Sequence, residues 1–202
     1  MVEPILSHGY NCFLLNHRHH GESEGKFTGF GILDSKDLVK WIEAINSRFP
    51  DGKIILYGVS MGAATVMLSS DLDLPENVAG IVEDCGFTTV YEEFSYQIRK
   101  TAHIPPAPIL RMVNYYCKAL LHFDIRAADS RECVKKTKIP FLFIHGSGDT
   151  FVPAYMCDEC YNACGSEKKR IIFDGAYHAQ SHFKYPAEYE NDFFEFADKY
   201  TI

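Results

Sequence analysis

Short apolar runs alternate with longer amphipathic stretches along this chain, the order expected of strand–helix repeats feeding a parallel sheet. Tyr10 to Leu15 reads as a buried strand, ended by the polar loop Gly21-Glu22-Ser23-Glu24-Gly25. From Ile32 to Arg48 the residues Leu33, Leu38, Trp41, Ile42 and Ile45 recur on or near one helical face, and Pro50 stops the helix. Lys53 to Tyr57 is the next strand, followed by a helix from Met61 to Ser70, and Val78 to Glu83 is another strand. The stretch from Gly86 to about Arg131 breaks the repeat. It is aromatic-rich and helix-like, and Pro105, Pro106 and Pro108 interrupt it, so it reads as a cap (residues 86–131) inserted over a cleft. Regularity then returns with a strand at Phe141 to His145, a helix at Pro153 to Cys164, a strand at Arg170 to Phe173 and a closing helix at Pro186 to Tyr200. With no repeats and no linker, residues 1–202 are expected to form one α/β domain carrying that insertion.

Length and charge narrow the partners. A chain of 202 residues supports one domain with a substantial core and is short for two. Its net charge of −7 argues against nucleic acid or an anionic membrane surface, since phosphate binding needs a basic face. No apolar run reaches the length of a membrane span, and the basic-then-apolar start of a signal peptide is missing, so the cytoplasm is the expected location. The odd count of 7 cysteines, scattered in sequence, fits reduced thiols. Cys157, Cys160 and Cys164 fall at helical spacing; packing of one helix face is favoured over a soft-metal site, because no second ligand pair accompanies them. His17, His19 and His20 are read as a polar loop on similar grounds.

The chemistry concentrates at Gly58-Val59-Ser60-Met61-Gly62, between the apolar run Ile54-Ile55-Leu56-Tyr57 and the helix-forming Ala63 to Leu68. A serine on a sharp strand-to-helix turn has its hydroxyl lifted above the sheet edge, and the flanking glycines relieve crowding there. The following helix directs its N-terminus at the site, so the Met61 N–H can donate to a developing oxyanion. A serine hydroxyl needs a base, and the base needs an acid to hold its tautomer. Asp149, in Gly146-Ser147-Gly148-Asp149-Thr150-Phe151-Val152-Pro153, and His178, in Gly175-Ala176-Tyr177-His178-Ala179, both follow later strands, at the sheet edge where α/β sites are built. Individually Asp149 could cap a helix and His178 could be an ordinary loop histidine. The order Ser, acid, His at three strand ends favours a shared role.

On these motifs, together with Gly9 to Leu15 and Gly21 to Gly25, the whole chain resembles the α/β-hydrolase superfamily, in particular its serine aminopeptidase-like and acylglycerol-lipase-like bacterial branch. The resemblance implies hydrolysis of an ester, less often an amide, of a small acyl substrate through an acyl-enzyme on Ser60, with no metal and no organic cofactor. His178 would serve as base and Asp149 would orient it. Two departures stand out. Asn16 replaces a usual acidic residue and His19 a usual glycine. More consequentially, in that family the strand matching Tyr10–Leu15 is normally the fourth, whereas only residues 1–9 precede it here. The chain is therefore expected to be N-terminally shortened, with a gap in the sheet and the second oxyanion donor missing. The gap would persist unless the flanking strands pair directly, a partner chain such as a second copy fills the exposed edge, or the stretch belongs to a longer chain. Two functions compete: an active carboxylesterase-like serine hydrolase (peptidase being open), and a truncated, weakly active or non-catalytic protein that binds ligands or partners.

Overall fold

A computed structural model describes all residues 1–202. Its centre is a sheet of four strands, β1 (Ile54–Val59), β2 (Val78–Asp84), β3 (Phe141–Gly146) and β4 (Lys168–Phe173), in the order β1-β2-β3-β4 with every pairing parallel. Parallel neighbours require crossovers, and helices provide them. α1 (Val2–Ser7) and α2 (Asp34–Arg48) precede the sheet, α3 (Met61–Ser69) joins β1 to β2, and α7 (Tyr155–Ala163) joins β3 to β4. α8 (Ser181–Lys184) and α9 (Pro186–Thr201) close the chain. Between β2 and β3 run α4 (Val90–Ala102), α5 (Pro106–Tyr116), one π-helical turn at Cys117–Leu121 and α6 (Ser130–Lys136).

Both sheet faces are covered, which explains why β3 reads as an unbroken apolar run. On one face Leu38, Ile42, Val66, Met67, Phe141 and Phe143 pack with Cys157, Cys160 and Cys164, so the three cysteines serve the core. On the other, Val82, Leu142 and Ile144 meet Tyr189, Phe193 and Phe196 of α9. A third cluster joins Phe87, Val90 and Leu110 of the excursion to Val152 and Met156 beside the sheet. No helix is long and apolar enough to cross a membrane.

The strand expected at Tyr10–Leu15 does not form. Residues 10–16 form neither helix nor strand, tethered at one end by the Tyr10 hydroxyl to Asp198 (2.6 Å) and at the other by His17 to Asp34 (3.1 Å), and Asn11 to Leu15 make no backbone ladder. A cavity of about 1570 Å³ lies between this segment and β1, lined by Cys12, Leu14, Trp41, Phe49, Ile55 and Tyr57 among others. Ile54 N–H reaches Asn77 and Ser60 N–H reaches Asp84, so the even-numbered residues of β1 face β2. The backbone groups of Ile55, Tyr57 and Val59 therefore point away from β2, Ile55 and Tyr57 lining the cavity. With the cavity between them, this segment and β1 share no backbone hydrogen bond, and its apolar side chains stay exposed, Leu14 at 75% and Phe13 at 49%.

Candidate active site

Ser60 sits at the turn from β1 into α3 with φ 55° and ψ −114°, a conformation that costs a non-glycine residue roughly 1–3 kcal/mol. What holds it there is local. Its N–H donates to the Asp84 carbonyl (2.8 Å) at the end of β2, and its own carbonyl accepts the Ala64 N–H (3.0 Å). Gly58 lets strand and helix approach: a Cβ there would stand 2.2 Å from the Gly62 carbonyl oxygen. Gly62 plays no such part, since a Cβ there would meet only His17 Nε2, at 3.8 Å. The crowding relieved at this elbow is thus carried by Gly58, not by both flanking glycines. Met61, the first residue of α3, has no intrahelical acceptor for its N–H, which stands free beside Ser60.

Asp149 and His178 come to the same sheet edge from the loops after β3 and β4. His178 Nε2 lies 2.8 Å from Ser60 Oγ, and His178 Nδ1 lies 2.7 Å from Asp149 Oδ2. With Nδ1–H donated to the carboxylate, Nε2 is left as the acceptor for the serine proton. The close fit of the two loops depends on Gly146, where a Cβ would sit 2.2 Å from the Ala176 carbonyl oxygen. The Asp149 side chain is fully buried and the His178 side chain 22% exposed, so the imidazole is reached by solvent while the carboxylate is not.

The acid is heavily coordinated. Asp149 Oδ1 accepts the N–H groups of Phe151 (2.8 Å) and Val152 (2.9 Å); Oδ2 accepts from His178 and stands 3.3 Å from His145 Nε2. Burial would raise its titration, but hydrogen bonds from His145 and His178 and the nearby imidazole charge outweigh that and hold the carboxyl far below the usual range. At the end of β2 the balance reverses. Desolvation pushes Glu83 up to about 7 and Asp84 up to about 6, although Tyr189 donates to Asp84 (2.8 Å) and Gly86 N–H to Glu83 (3.0 Å).

Cys85, buried at φ 52°, places its Sγ within 4.8 Å of ligand atoms of Asp149 and His178. Such a trio could in principle hold a cation, but the Asp149 and His178 atoms already bond each other and burial keeps the Cys85 thiol protonated. The thiol is a wall of the site. The sequence reading also missed how α4 is fastened to the acid loop. Tyr96 and Lys100 donate to the Thr150 carbonyl, and Gln97 donates to that of Phe151 (2.6 Å). A spacing of Tyr96, Gln97 and Lys100 on one side of an amphipathic helix was the available signal. Of the apolar side chains between β2 and β3, Phe87 is buried and Tyr91 and Phe94 pack against the cluster it belongs to, whereas Met112, Tyr115 and Tyr116 are exposed.

This sheet, with a strained serine at a strand–helix elbow and an acid and a histidine on later loops, defines the α/β-hydrolase class of fold. The chain belongs to that family: the alpha/beta hydrolase fold profile matches residues 1–107. Among proteins of similar sequence, the uncharacterized Bacillus subtilis protein YqkD is 28% identical over 195 residues, covering 96% of this chain. The chain spans 64% of that relative's length. Among solved structures, the Pyrococcus furiosus esterase Pf2001 superposes with a TM-score of 0.79 at 21% identity, covering 100% of this chain and 75% of its own. Pyrococcus horikoshii acylaminoacyl peptidase superposes with a TM-score of 0.62 at 18% identity, covering 86% of this chain and 28% of its own.

Proposed function

We propose that this chain is a serine hydrolase that cleaves carboxylic ester bonds, and less readily amide bonds, of a small acyl substrate through an acyl-enzyme on Ser60. One observation carries the reading: Ser60 Oγ, His178 and Asp149 form a continuous hydrogen-bonded line, at 2.8 and 2.7 Å, with its histidine partly open to solvent. In the forward step His178 Nε2 takes the Ser60 proton as Oγ attacks the acyl carbon, and Asp149 stabilises the imidazolium. The Met61 N–H faces the oxygen that gains charge. His178 then protonates the leaving alcohol, and water, deprotonated by the same nitrogen, releases the acid. Every step uses protein groups and water. The helices between β2 and β3, with α4 fastened to the acid loop, act as a cap on this site.

The open edge of β1 favours a second reading, in which turnover is weak because the strand and backbone donor beyond β1 are not in place. Losing one oxyanion donor typically costs about 10²–10³ in turnover. Hydrolysis of p-nitrophenyl acetate and butyrate by the wild-type chain and its Ser60→Ala variant separates the readings. Turnover that falls at least about a thousandfold in Ser60→Ala supports the hydrolase. Rates equal in the two proteins remove it and leave the binding protein.

A further inference from the structure

His145 lies on β3, is fully buried, and takes no part in the chemistry above. Its Nε2 is 2.9 Å from the Val152 carbonyl oxygen, which can only accept, so Nε2 carries the proton. The same nitrogen is 3.3 Å from Asp149 Oδ2, the oxygen that receives the His178 Nδ1–H. His145 Nδ1 has no partner. Two imidazoles thus converge on one carboxylate oxygen, one from the cleft side and one from the core side. Asp149 in turn accepts the Val152 N–H, so ring and carboxylate grip both ends of one loop residue.

We propose that His145 is a positioning residue for Asp149: by sharing Oδ2 with His178 it fixes the carboxylate's orientation and moderates how strongly Asp149 holds the His178 proton. The orientation part follows from the loop grip, because Asp149 has no other side-chain donor on its core side. The second part follows from charge. The His145 Nε2–H, bonded to the Val152 carbonyl, lies 3.3 Å from Oδ2, and its positive end lowers the negative potential at that oxygen whether His145 is neutral or protonated. Without it, Oδ2 would attract the imidazolium of His178 more strongly, and His178 would keep its proton to higher pH. The other groups facing this pair are Asp84 and Cys85 at the end of β2, Glu83 behind His145, and Glu93 from α4. They remain in place when only His145 is changed.

The role of His178 as base rests on the hydrolase reading; the geometry around Asp149 does not, so the primary readout is His178's own titration by NMR of ring-labelled protein. In His145→Phe, which keeps a ring but no donor, that titration is expected to move to higher pH by roughly half a pH unit or more. In His145→Gln, whose amide nitrogen reaches a similar position, it is expected to stay near wild type. Where esters are turned over, the acid limb of kcat/KM should move with it. A His178 titration unchanged in His145→Phe, or shifted equally in both variants, overturns the proposal. Wild-type protein gives a test that needs no variant. The His145 Nε2–H signal should persist in neutral solution and change its shift through the His178 titration. A His145 Nε2–H blind to that titration overturns the proposal, even if Ser60 proves inert towards esters.

Discussion

Ser60 and Asp149 carry the most specific consequences at the scale of single residues. Ser60 is held at φ 55° by its bond to the Asp84 carbonyl and by the absence of a side chain at Gly58. Glycine adopts that backbone without strain, so Ser60→Gly should be thermally more stable than Ser60→Ala, by up to about 2 kcal/mol, although both lack the hydroxyl. Differential scanning calorimetry of the two variants checks this; a less stable glycine variant would mean that the elbow is not strained. Asp149 accepts two backbone N–H groups and the His178 Nδ1–H. Asp149→Asn presents an amide where the carboxylate oxygen stood and turns His178 to the wrong tautomer, so kcat for a p-nitrophenyl ester should fall by about 10⁴-fold while the fold persists.

Whole elements show where the sequence spoke clearly and where it did not. The elbow, Asp149 and His178 were legible because each is tied to a strand end, and strands buried on both faces announce themselves as apolar runs such as Phe141-Leu142-Phe143-Ile144. The run Asn11 to Leu15 carries the same kind of apolar pattern and yet forms no strand. Pattern reports which side chains avoid water, while a strand also needs a backbone partner, and none lies within reach of residues 11–15. The fastening of α4 to Thr150 and Phe151 was only half legible for a related reason: the donors Tyr96, Gln97 and Lys100 share one side of the helix, but the acceptors are main-chain carbonyls, which leave no mark in sequence. The free edge of β1 leads to a direct expectation. By hydrogen–deuterium exchange with NMR, the amides of Ile55, Tyr57 and Val59 should exchange faster than those of Leu56 and Gly58, which face β2. Equal protection along β1 would show that the outer edge is covered in solution.

The molecule as a whole has an acidic seam buried at the end of β2. Glu83, wholly buried, is raised from an ordinary value near 4.5 to about 7. A carboxyl raised on folding contributes stability that is complete below the unfolded value and lost as pH rises through the folded one. Glu83 therefore lowers the chain's stability between about pH 4.5 and pH 7. Glu83→Gln should remove that component, so urea unfolding at pH 5 and pH 7.5 should show the variant gaining on wild type at the higher pH. A difference that is constant with pH would mean that Glu83 is not desolvated as the fold implies. On the proposed reading, the open flank beside β1 and the continuous line at Ser60 pull in opposite directions: one would weaken the scaffold of the oxyanion site, the other would supply its nucleophile, base and acid.

The most direct test of the central claim is the reaction of the chain with a fluorophosphonate, read by intact mass and peptide mapping. The account predicts a single adduct on Ser60, absent from Ser60→Ala and strongly slowed in a His178→Ala variant, because Oγ is a nucleophile only while His178 Nε2 can take its proton. A folded wild-type chain that remains unmodified, or that is modified equally when Ser60 is replaced, would contradict it.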